Sequence, residues 1–476
     1  MKLNHKEVNK FKELLKECLI DGLNIINLKI EEDNKRNWNF LLDYHKGFPT
    51  LSYLENGLPS FYLSDFQKRD YSKILSKDNK YLEIPSWKNY HEFFRNTDFL
   101  KRYFKLFEFS RFKEGTKTEI IENFSQIYTY YFLLNFVDSY IHLNSFNFNE
   151  EIYLNYFSLY LNSIIKEKYE FDVIVPILCI TFDFEEYKIT DSISITKLSE
   201  REQLSRNIMK GNTISVHDNV VGAATHAFRL KFWTIDNTDS DTVGFTIYDA
   251  NAFHNVIDVI DKLFATLRIN TNADTGYAQI LTTPNNSIRH FKADLLDMSV
   301  ITDRKYPDKF ENFGWSNEIR EIATNELENF AFLFEKISKT NYTFAIKKLN
   351  SASIRKSDED TILDITSALE SLLTSDSKNE ITYRLSIRAS QLCKISQFQE
   401  LSTKQVFELC KKLYNYRSAV VHGDIKRIEK TKTISIHSSI EIPMIRVAFD
   451  LLRHLLKILL ENDINKVDAI DEIMLE

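Results

Sequence analysis

The chain has 476 residues and a mass of 56.1 kDa, which is enough for two or three domains with sizeable cores. Hydrophobic residues make up 43% and charged residues 27% of the chain, as in soluble globular proteins, and no apolar run is long enough to span a bilayer. The net charge of -7 excludes a globally basic surface, so any nucleic-acid-binding surface has to be local.

Residues 1–169 are predicted to be mainly helical. Near the start, Phe11, Leu15 and Cys18 fall on one face of a helix, and weaker extended pieces are predicted between about residues 28 and 85. Because no signal-peptide core follows the first residues, we expect a cytoplasmic protein with no membrane partner.

The pattern changes in residues 170–310. The β-branched run 173–180 and the alternating segment 187–198 are predicted strands. Residues 249–267 have the spacing of a helix, and 277–283 form a further short strand. We therefore predict a mixed α+β middle domain with a sensor or regulatory role.

A longer strand is predicted at residues 228–235 of this domain. Hydrophobic and polar residues alternate there. Phe228, Leu230 and Phe232 are therefore predicted on one face of the strand, and Lys231 and Trp233 on the other.

Residues 311–476 carry almost only helical patterns, and five helices with short connections predict a compact bundle. Residues 429–441, rich in Thr, Ser and Ile, are predicted to interrupt the bundle as a loop or a small hairpin. The chain is thus predicted to be an α+β multidomain protein. It has a helix-rich N-terminal region, a mixed α/β middle domain and an all-α helical bundle at the C-terminus.

Several catalytic and metal-binding patterns are missing from the sequence. There is no GxxxxGK[ST], GxGxxG, HExxH or GxSxG, which argues against P-loop, zinc-protease and α/β-hydrolase chemistry. The four cysteines form no CxxC pair and are predicted to be buried thiols: Cys18, Cys179, Cys393 and Cys410. Four histidines of the middle domain also match no metal motif, and we predict no metal site: His217, His226, His254 and His290.

One helix is predicted to carry, near its C-terminal end, two side chains that could take part in catalysis, Arg417 and His422. Its apolar positions recur every three or four residues: Val406, Leu409, Leu413, Tyr416 and Val420. A glycine such as Gly423 commonly takes the left-handed turn that ends a helix, so His422 is predicted at or near the last helical position. Histidine can transfer a proton near neutral pH and guanidinium can hold a phosphate. Phosphodiester transesterification needs these roles and no metal or other cofactor.

The spacing of the two side chains raises a geometric question. Five residues of an ideal helix turn about 500°, which leaves Arg417 and His422 about 140° apart around the axis. Either the helix ends or distorts between them, or facing copies of the patch from two protomers build a composite site across a twofold axis. The second alternative predicts a homodimer.

Three segments in the last third of the chain resemble, in order and spacing, the Apea-like branch of the HEPN superfamily: 368–373 (ALESLL), 383–392 (YRLSIRASQL) and 413–423 (LYNYRSAVVHG). The resemblance implies a dimerising helical domain and a metal-independent ribonuclease that leaves a 2′,3′-cyclic phosphate. It also implies a bacterial abortive-infection protein that responds to a phage-derived trigger and cuts host RNA, with tRNA ranked first. Carried over by position, Arg417 and His422 are the catalytic pair.

Two residues are candidates for supporting roles. Ser418 follows the arginine where HEPN nucleases often have Asn, Asp or His, so it would be a smaller polar helper. Glu370 is either an anchor for Arg417 or Arg388, or an ordinary surface carboxylate.

Contacts with RNA are predicted from basic and aromatic residues. Arg384 and Arg388 are four residues apart on one helical face and are either phosphate contacts or ordinary surface charges. Tyr414 is the candidate for stacking on an RNA base, whereas Tyr416 also fits the apolar stripe and is predicted to lie in the core. Further positive charge is predicted from residues that bracket the motif: Lys411, Lys412, Lys426 and Arg427.

Two other functions remain as alternatives. The bundle could serve only as a dimerisation scaffold with an inactive Arg-His pair. The strand pattern of residues 170–310 is also compatible with a sugar- or nucleotide-binding sensor.

Overall fold

The computed structural model describes residues 5–35, 50–65, 70–76, 81–96, 114–166, 168–208, 216–236, 250–288, 291–313, 315, 319–374, 380–436, 441–464 and 467–475. Across these ranges the protein is a mixed α/β structure in which helices predominate.

Long helices build the N-terminal region. Its elements are α1 (His5–Lys35), β1 (Thr50–Tyr53), β2 (Pro59–Asp65), α2 (Ser72–Ser76), α3 (Trp87–Asn96), α4 (Glu114–Asn144) and α5 (Glu150–Ile165). The predicted stripe of Phe11, Leu15 and Cys18 is confirmed, because all three side chains are fully buried in one core with residues of α3, α4 and α5. Helix α1 continues through residue 28 to Lys35, so residues 28–35 are helical and not extended as predicted, whereas the antiparallel pair β1 and β2 lies within the predicted extended stretch.

A six-stranded antiparallel sheet forms the middle of the chain. The elements of this region are β3 (Lys168–Pro176), β4 (Ile180–Phe182), β5 (Glu186–Lys188), β6 (Ile193–Lys197), α6 (Glu200–Ile208), α7 (Asp218–Gly222), β7 (His226–Asp236), α8 (Ala250–Thr271), β8 (Tyr277–Pro284) and β9 (Ser299–Lys305). The strand order of the sheet is β5-β6-β7-β3-β8-β9, and β4 lies outside it. Apolar residues of α8, including Ile260 and Phe264, pack against Val173, Phe228 and Ile280 on one face of the sheet.

Strand β7 departs from its predicted alternation at Phe232. The register with β3 shifts by one residue, because Phe171 pairs with Trp233 whereas Val173 pairs with Leu230. Phe232 is the extra residue of this bulge, with φ of 65°, and its side chain is 69% exposed. The prediction that Phe232 shares a face with Phe228 and Leu230 is therefore wrong, and Trp233 packs against the core that contains Phe228 and Leu230.

Helices dominate the C-terminal region. Its elements are β10 (Arg320–Ile322), α9 (Phe330–Lys339), α10 (Thr343–Ser353), α11 (Asp358–Leu373), α12 (Ile381–Ile395), α13 (Thr403–Val421), α14 (Ile425–Thr431), β11 (Thr433–Ile434), β12 (Ile442–Pro443), α15 (Met444–Glu461) and α16 (Val467–Leu475). The all-helical prediction misses β10, which pairs in parallel with β4. The predicted interruption contains the end of α14 and strand β11, whose hairpin partner β12 begins one residue after it, and its residues 437–440 lie outside the described ranges.

The middle and C-terminal regions share core residues. Phe330 and Phe334 of α9 belong to the core of the sheet. Conversely, Ala265 and Ile269 of α8 pack into the helical core of the C-terminal region. Buried apolar contacts therefore join the sheet to the C-terminal helices.

The cysteines and the histidines of the middle domain differ in their surroundings. All four cysteines are free and buried, as predicted. His226 is buried with a ring nitrogen 2.7 Å from the Phe184 carbonyl oxygen, and His217 caps α7. His254 is exposed, and His290 lies outside the described ranges. Among the helices that can be described, none has the length and apolar character needed to cross a membrane.

Candidate active site

Helix α13 carries the Arg417 and His422 motif. It begins at a capping box in which the Ser402 and Gln405 side chains each accept a hydrogen bond from the other residue's backbone N–H. Its predicted apolar stripe is confirmed at Val406, Leu409 and Leu413, which are buried in the helical core together with Tyr416. The core position predicted for Tyr416 is therefore correct.

The helix ends as the glycine predicts. Gly423 has φ of 65°, and its N–H donates to the Val420 carbonyl at 3.1 Å while the Asp424 N–H donates to the Ala419 carbonyl at 3.0 Å. This is a Schellman motif, in which His422 is the C-cap residue. Asp424 then caps α14 by accepting from the Arg427 N–H at 3.1 Å.

We expect Gly423→Ala to lower the free energy of unfolding by about 1 kcal/mol, because a left-handed conformation strains a residue with a Cβ. No atom lies within 4 Å of the position that a Cβ at Gly423 would occupy, so the effect is conformational. Gly22→Ala is the matched control. Gly22 lies within helix α1, and alanine there should be neutral or stabilising by up to about 1 kcal/mol. Urea unfolding of both variants checks the prediction, and an equal loss in the two would contradict it.

Arg417 and Tyr414 form what we call the arginine face of α13. Arg417 is half-buried, and its guanidinium carbon lies 5.4 Å from the centre of the Tyr414 ring. The Tyr414 hydroxyl donates to the Glu370 carboxylate of α11 at 3.0 Å. Burial, followed by the charge of Glu370, raises the pKa of Tyr414, so the phenol remains a hydrogen-bond donor to Glu370. The stacked ring and its carboxylate partner thereby support the arginine from one side.

The guanidinium of Arg417 has a hydrogen-bond donor that no described residue uses. Among the described residues, no carboxylate lies within 4.0 Å of it, and its buried Nε has no hydrogen-bond partner. A buried N–H donor without an acceptor is costly, so this group is suited to an anionic ligand.

His422 belongs to a second surface of α13, which we call the histidine face. His422 is exposed, and Ser418, Asn415 and Lys411 precede it by four, seven and eleven residues. At about 100° per residue these four positions lie within about 60° of one another around the helix axis. The face therefore combines a titratable ring, a hydroxyl, an amide and an ammonium group.

The helix end does not turn the two faces towards each other. His422 keeps near-helical angles, with φ of -90° and ψ of -1°, and the left-handed turn comes only at Gly423. The direction of the His422 side chain is set before that turn, so it stays about 140° from Arg417 around the axis. The alternative in which the helix end reorients His422 is therefore wrong.

The contacts of Arg388 and Glu370 correct two expectations. Arg388 is only 8% exposed, and it donates to both oxygens of Asp471 at 2.7 Å and to the Leu373 carbonyl at 2.8 Å. Because its guanidinium is held by these partners inside the protein, Arg388 is a structural residue and not a phosphate contact. Glu370 has no ion pair with Arg417 or Arg388 among the described residues, and instead accepts from Tyr414.

The remaining predicted RNA contacts lie at several places around α13. Arg384 is half-buried on α12. Lys411 is exposed, lies 3.5 Å from Glu408 and covers the Phe407 ring. Lys412 lines a groove that also includes Ser435. Lys426 is exposed beyond the helix end.

Asn415 is a site candidate that the sequence reasoning missed. Its side-chain oxygen accepts a hydrogen bond from the Arg427 guanidinium at 3.2 Å, which places Arg427 near the histidine face. The separation of seven residues between Asn415 and His422 was the available signal, because residues seven apart share one helical face.

Comparisons with protein-family models, with curated proteins and with solved structures gave no match to this chain.

Proposed function

We propose that the protein is a metal-independent endoribonuclease with Arg417 and His422 as its catalytic pair. The observation that carries this proposal is that one helix end holds an arginine without a carboxylate partner among the described residues and an exposed histidine. Arg417 has a guanidinium without a carboxylate partner among the described residues, and His422 is exposed to solvent beyond the packed part of the helix.

The chemistry is an attack of the RNA 2′-oxygen on the adjacent phosphorus. A neutral histidine takes the proton of the 2′-hydroxyl, the new P–O bond closes the 2′,3′-cyclic phosphate, and the bond to the 5′-oxygen breaks. The same histidine, now protonated, then gives this proton to the leaving 5′-oxygen. The Arg417 guanidinium balances the charge that develops on the phosphoryl oxygens.

A composite site across a twofold axis agrees best with the angle between the two faces. In a symmetric pair, the arginine face of one protomer can meet the histidine face of its partner, and the same contact is repeated by symmetry. Each phosphate would then lie between Arg417 of one chain and the partner's His422. Ser418 and Asn415 lie on the histidine face, where they would orient the imidazole.

The resemblance to the Apea-like HEPN branch supplies the biological setting of the proposal. The C-terminal helices, residues 311–476, would be the dimerising nuclease domain. Residues 1–169 and 170–310 would sense a phage-derived trigger and hold the nuclease inactive in the cytoplasm. Host tRNA is the substrate that we rank first, and Tyr414 would be available for base stacking only if its ring leaves Arg417.

We expect the purified full-length protein to cut total tRNA in the presence of EDTA and to leave 2′,3′-cyclic phosphate ends. The expectation follows because a histidine and an arginine supply proton transfer and charge balance without a metal ion. Gel analysis of the fragments, with and without phosphatase treatment that distinguishes cyclic from linear phosphates, is the measurement. Incubation with lysate from phage-infected cells provides the trigger if the resting protein is inactive.

Two results would contradict the proposal. Cleavage that EDTA abolishes would point to metal-dependent chemistry. No cleavage with any trigger would favour the scaffold alternative, in which the bundle only dimerises.

A further inference from the structure

A cavity of about 450 Å³ lies where α8, the strands β8 and β9, and α10 meet. Its volume falls within the range of small-molecule sites. The cavity floor consists of buried residues: Phe264, Arg268, Tyr277 and Ile280. Its rim includes the exposed residues His254, Asp303 and Lys347.

Arg268 brings a buried positive charge to the cavity floor. The residue is only 3% exposed, and it donates to the Asn350 side chain at 2.6 Å and to the Thr275 carbonyl at 2.7 Å. Within the described part of the chain, no carboxylate lies within 4.0 Å of this guanidinium, and its Nε has no hydrogen-bond partner. Burial, and then repulsion from Arg453, lowers the pKa of Arg268 to about 10, so the guanidinium is charged at neutral pH.

Tyr277 adds a second unused donor at the same floor. The residue is 3% exposed, and its buried hydroxyl has no partner among the residues that the structure describes. Burial, and then the nearby Asp261 carboxylate, raises the pKa of Tyr277, so the hydroxyl carries its proton. Arg268 Nε and Tyr277 Oη are therefore both donors that lack an acceptor, and a buried polar group without a partner costs free energy.

We propose that this cavity binds a small organic anion, with its acidic oxygen accepting from Arg268 and Tyr277 at the floor. An oxygen acceptor is the chemistry that both orphan donors require. The apolar part of the ligand would contact Ile257, Phe264 and Ile280.

The charges at the cavity fit an anionic ligand. The lining contains the three cationic residues Arg268, Lys305 and Lys347 and the two carboxylates Asp261 and Asp303. One cation is thus in excess, and the carboxylates could accept from an amine or hydroxyl of the ligand. A carboxylic acid and a phosphate ester share the required oxygen chemistry. The site lies outside α13, so the proposal does not depend on ribonuclease activity.

Binding can be tested on the full chain with two pairs of probes. Adenosine monophosphate and adenosine differ by a phosphate, and N-acetylphenylalanine and its amide differ by a carboxylate. We expect at least one anion at millimolar concentration to raise the midpoint of thermal unfolding, and its neutral counterpart to have no effect. A response to the phosphate alone or to the carboxylate alone identifies the acidic group.

Tyr277→Phe is the decisive variant. The hydroxyl has no partner among the described residues, so its removal breaks no hydrogen bond of that part of the chain and the variant should fold. The affinity for the responding anion, measured by titration calorimetry, should fall about tenfold, because one buried donor to a charged group is lost. Lys347→Ala at the rim should weaken binding less, by roughly threefold, because an exposed charge contributes little. The proposal is overturned if neither anion binds, or if Tyr277→Phe binds the anion as tightly as the parent protein.

Discussion

A heterodimer of an Arg417→Ala chain with a His422→Ala chain is expected to cut tRNA at about half the parent rate per dimer, although each homodimeric variant is at least a hundredfold slower. In a composite site, one of the two sites of this heterodimer combines the intact Arg417 of one chain with the intact His422 of the other. The expectation follows from the angle of about 140° between the arginine face and the histidine face of α13. Co-expression with two different affinity tags and sequential purification isolates the heterodimer for rate measurements.

The matched control places both substitutions in one chain and pairs that chain with the parent. If each site takes its arginine and its histidine from different protomers, both sites of this heterodimer lack one group and the protein is inactive. If each site lies within one chain, the two results exchange: the control is half active and the first heterodimer is inactive. That exchange would overturn the composite site and leave the assignment of the catalytic pair in place.

Local patterns in the sequence predicted the parts of the structure that depend on neighbouring residues. The end of α13 is an example, because a glycine that can adopt a positive φ fixes the Schellman turn without help from distant residues. Several strands of the sheet were also predicted, since β-branched runs and alternation are local signals. Strand β9 was missed, and the segment 187–198 that was predicted as one strand is the antiparallel pair β5 and β6. The bulge at Phe232 was missed because one extra residue in β7 is recognised only from its pairing with β3.

Contacts between residues far apart in the sequence distinguish the roles of Arg388 and Arg417, which the sequence alone could not do. Arg388 and Arg417 are both arginines on amphipathic helices, yet Arg388 meets Asp471, 83 residues further along the chain, whereas Arg417 meets no carboxylate among the described residues. Spacing within one helix cannot distinguish these two cases. The cavity at Arg268 and Tyr277 was unpredictable for the same reason, since its walls come from the four elements α8, β8, β9 and α10.

Arg206→Lys is expected to lower the free energy of unfolding by about 3 kcal/mol or more, because one ammonium cannot replace a guanidinium that contacts several acceptors. Arg206 of α6 is fully buried and lies over the Phe61 ring of β2 at 4.4 Å. It donates to the Val221 carbonyl at 2.7 Å and to the Gly222 carbonyl at 3.0 Å, both in α7. It also donates to Gln279 of β8 at 3.0 Å.

Arg206 thereby connects α6, β2, α7 and β8, and its loss removes the donor to the buried Val221 carbonyl, whereas the Gly222 carbonyl still accepts from the Ala224 N–H at 2.7 Å. Urea unfolding followed by circular dichroism gives the loss of stability, and amide hydrogen exchange in β8 and α7 locates it. Arg320→Lys is the matched control. Arg320 is exposed and lies 2.7 Å from Glu326 in a surface ion pair, so its replacement should change stability by less than about 0.5 kcal/mol. A loss at Arg206 as small as that at Arg320 would show that the buried guanidinium does not hold these elements together.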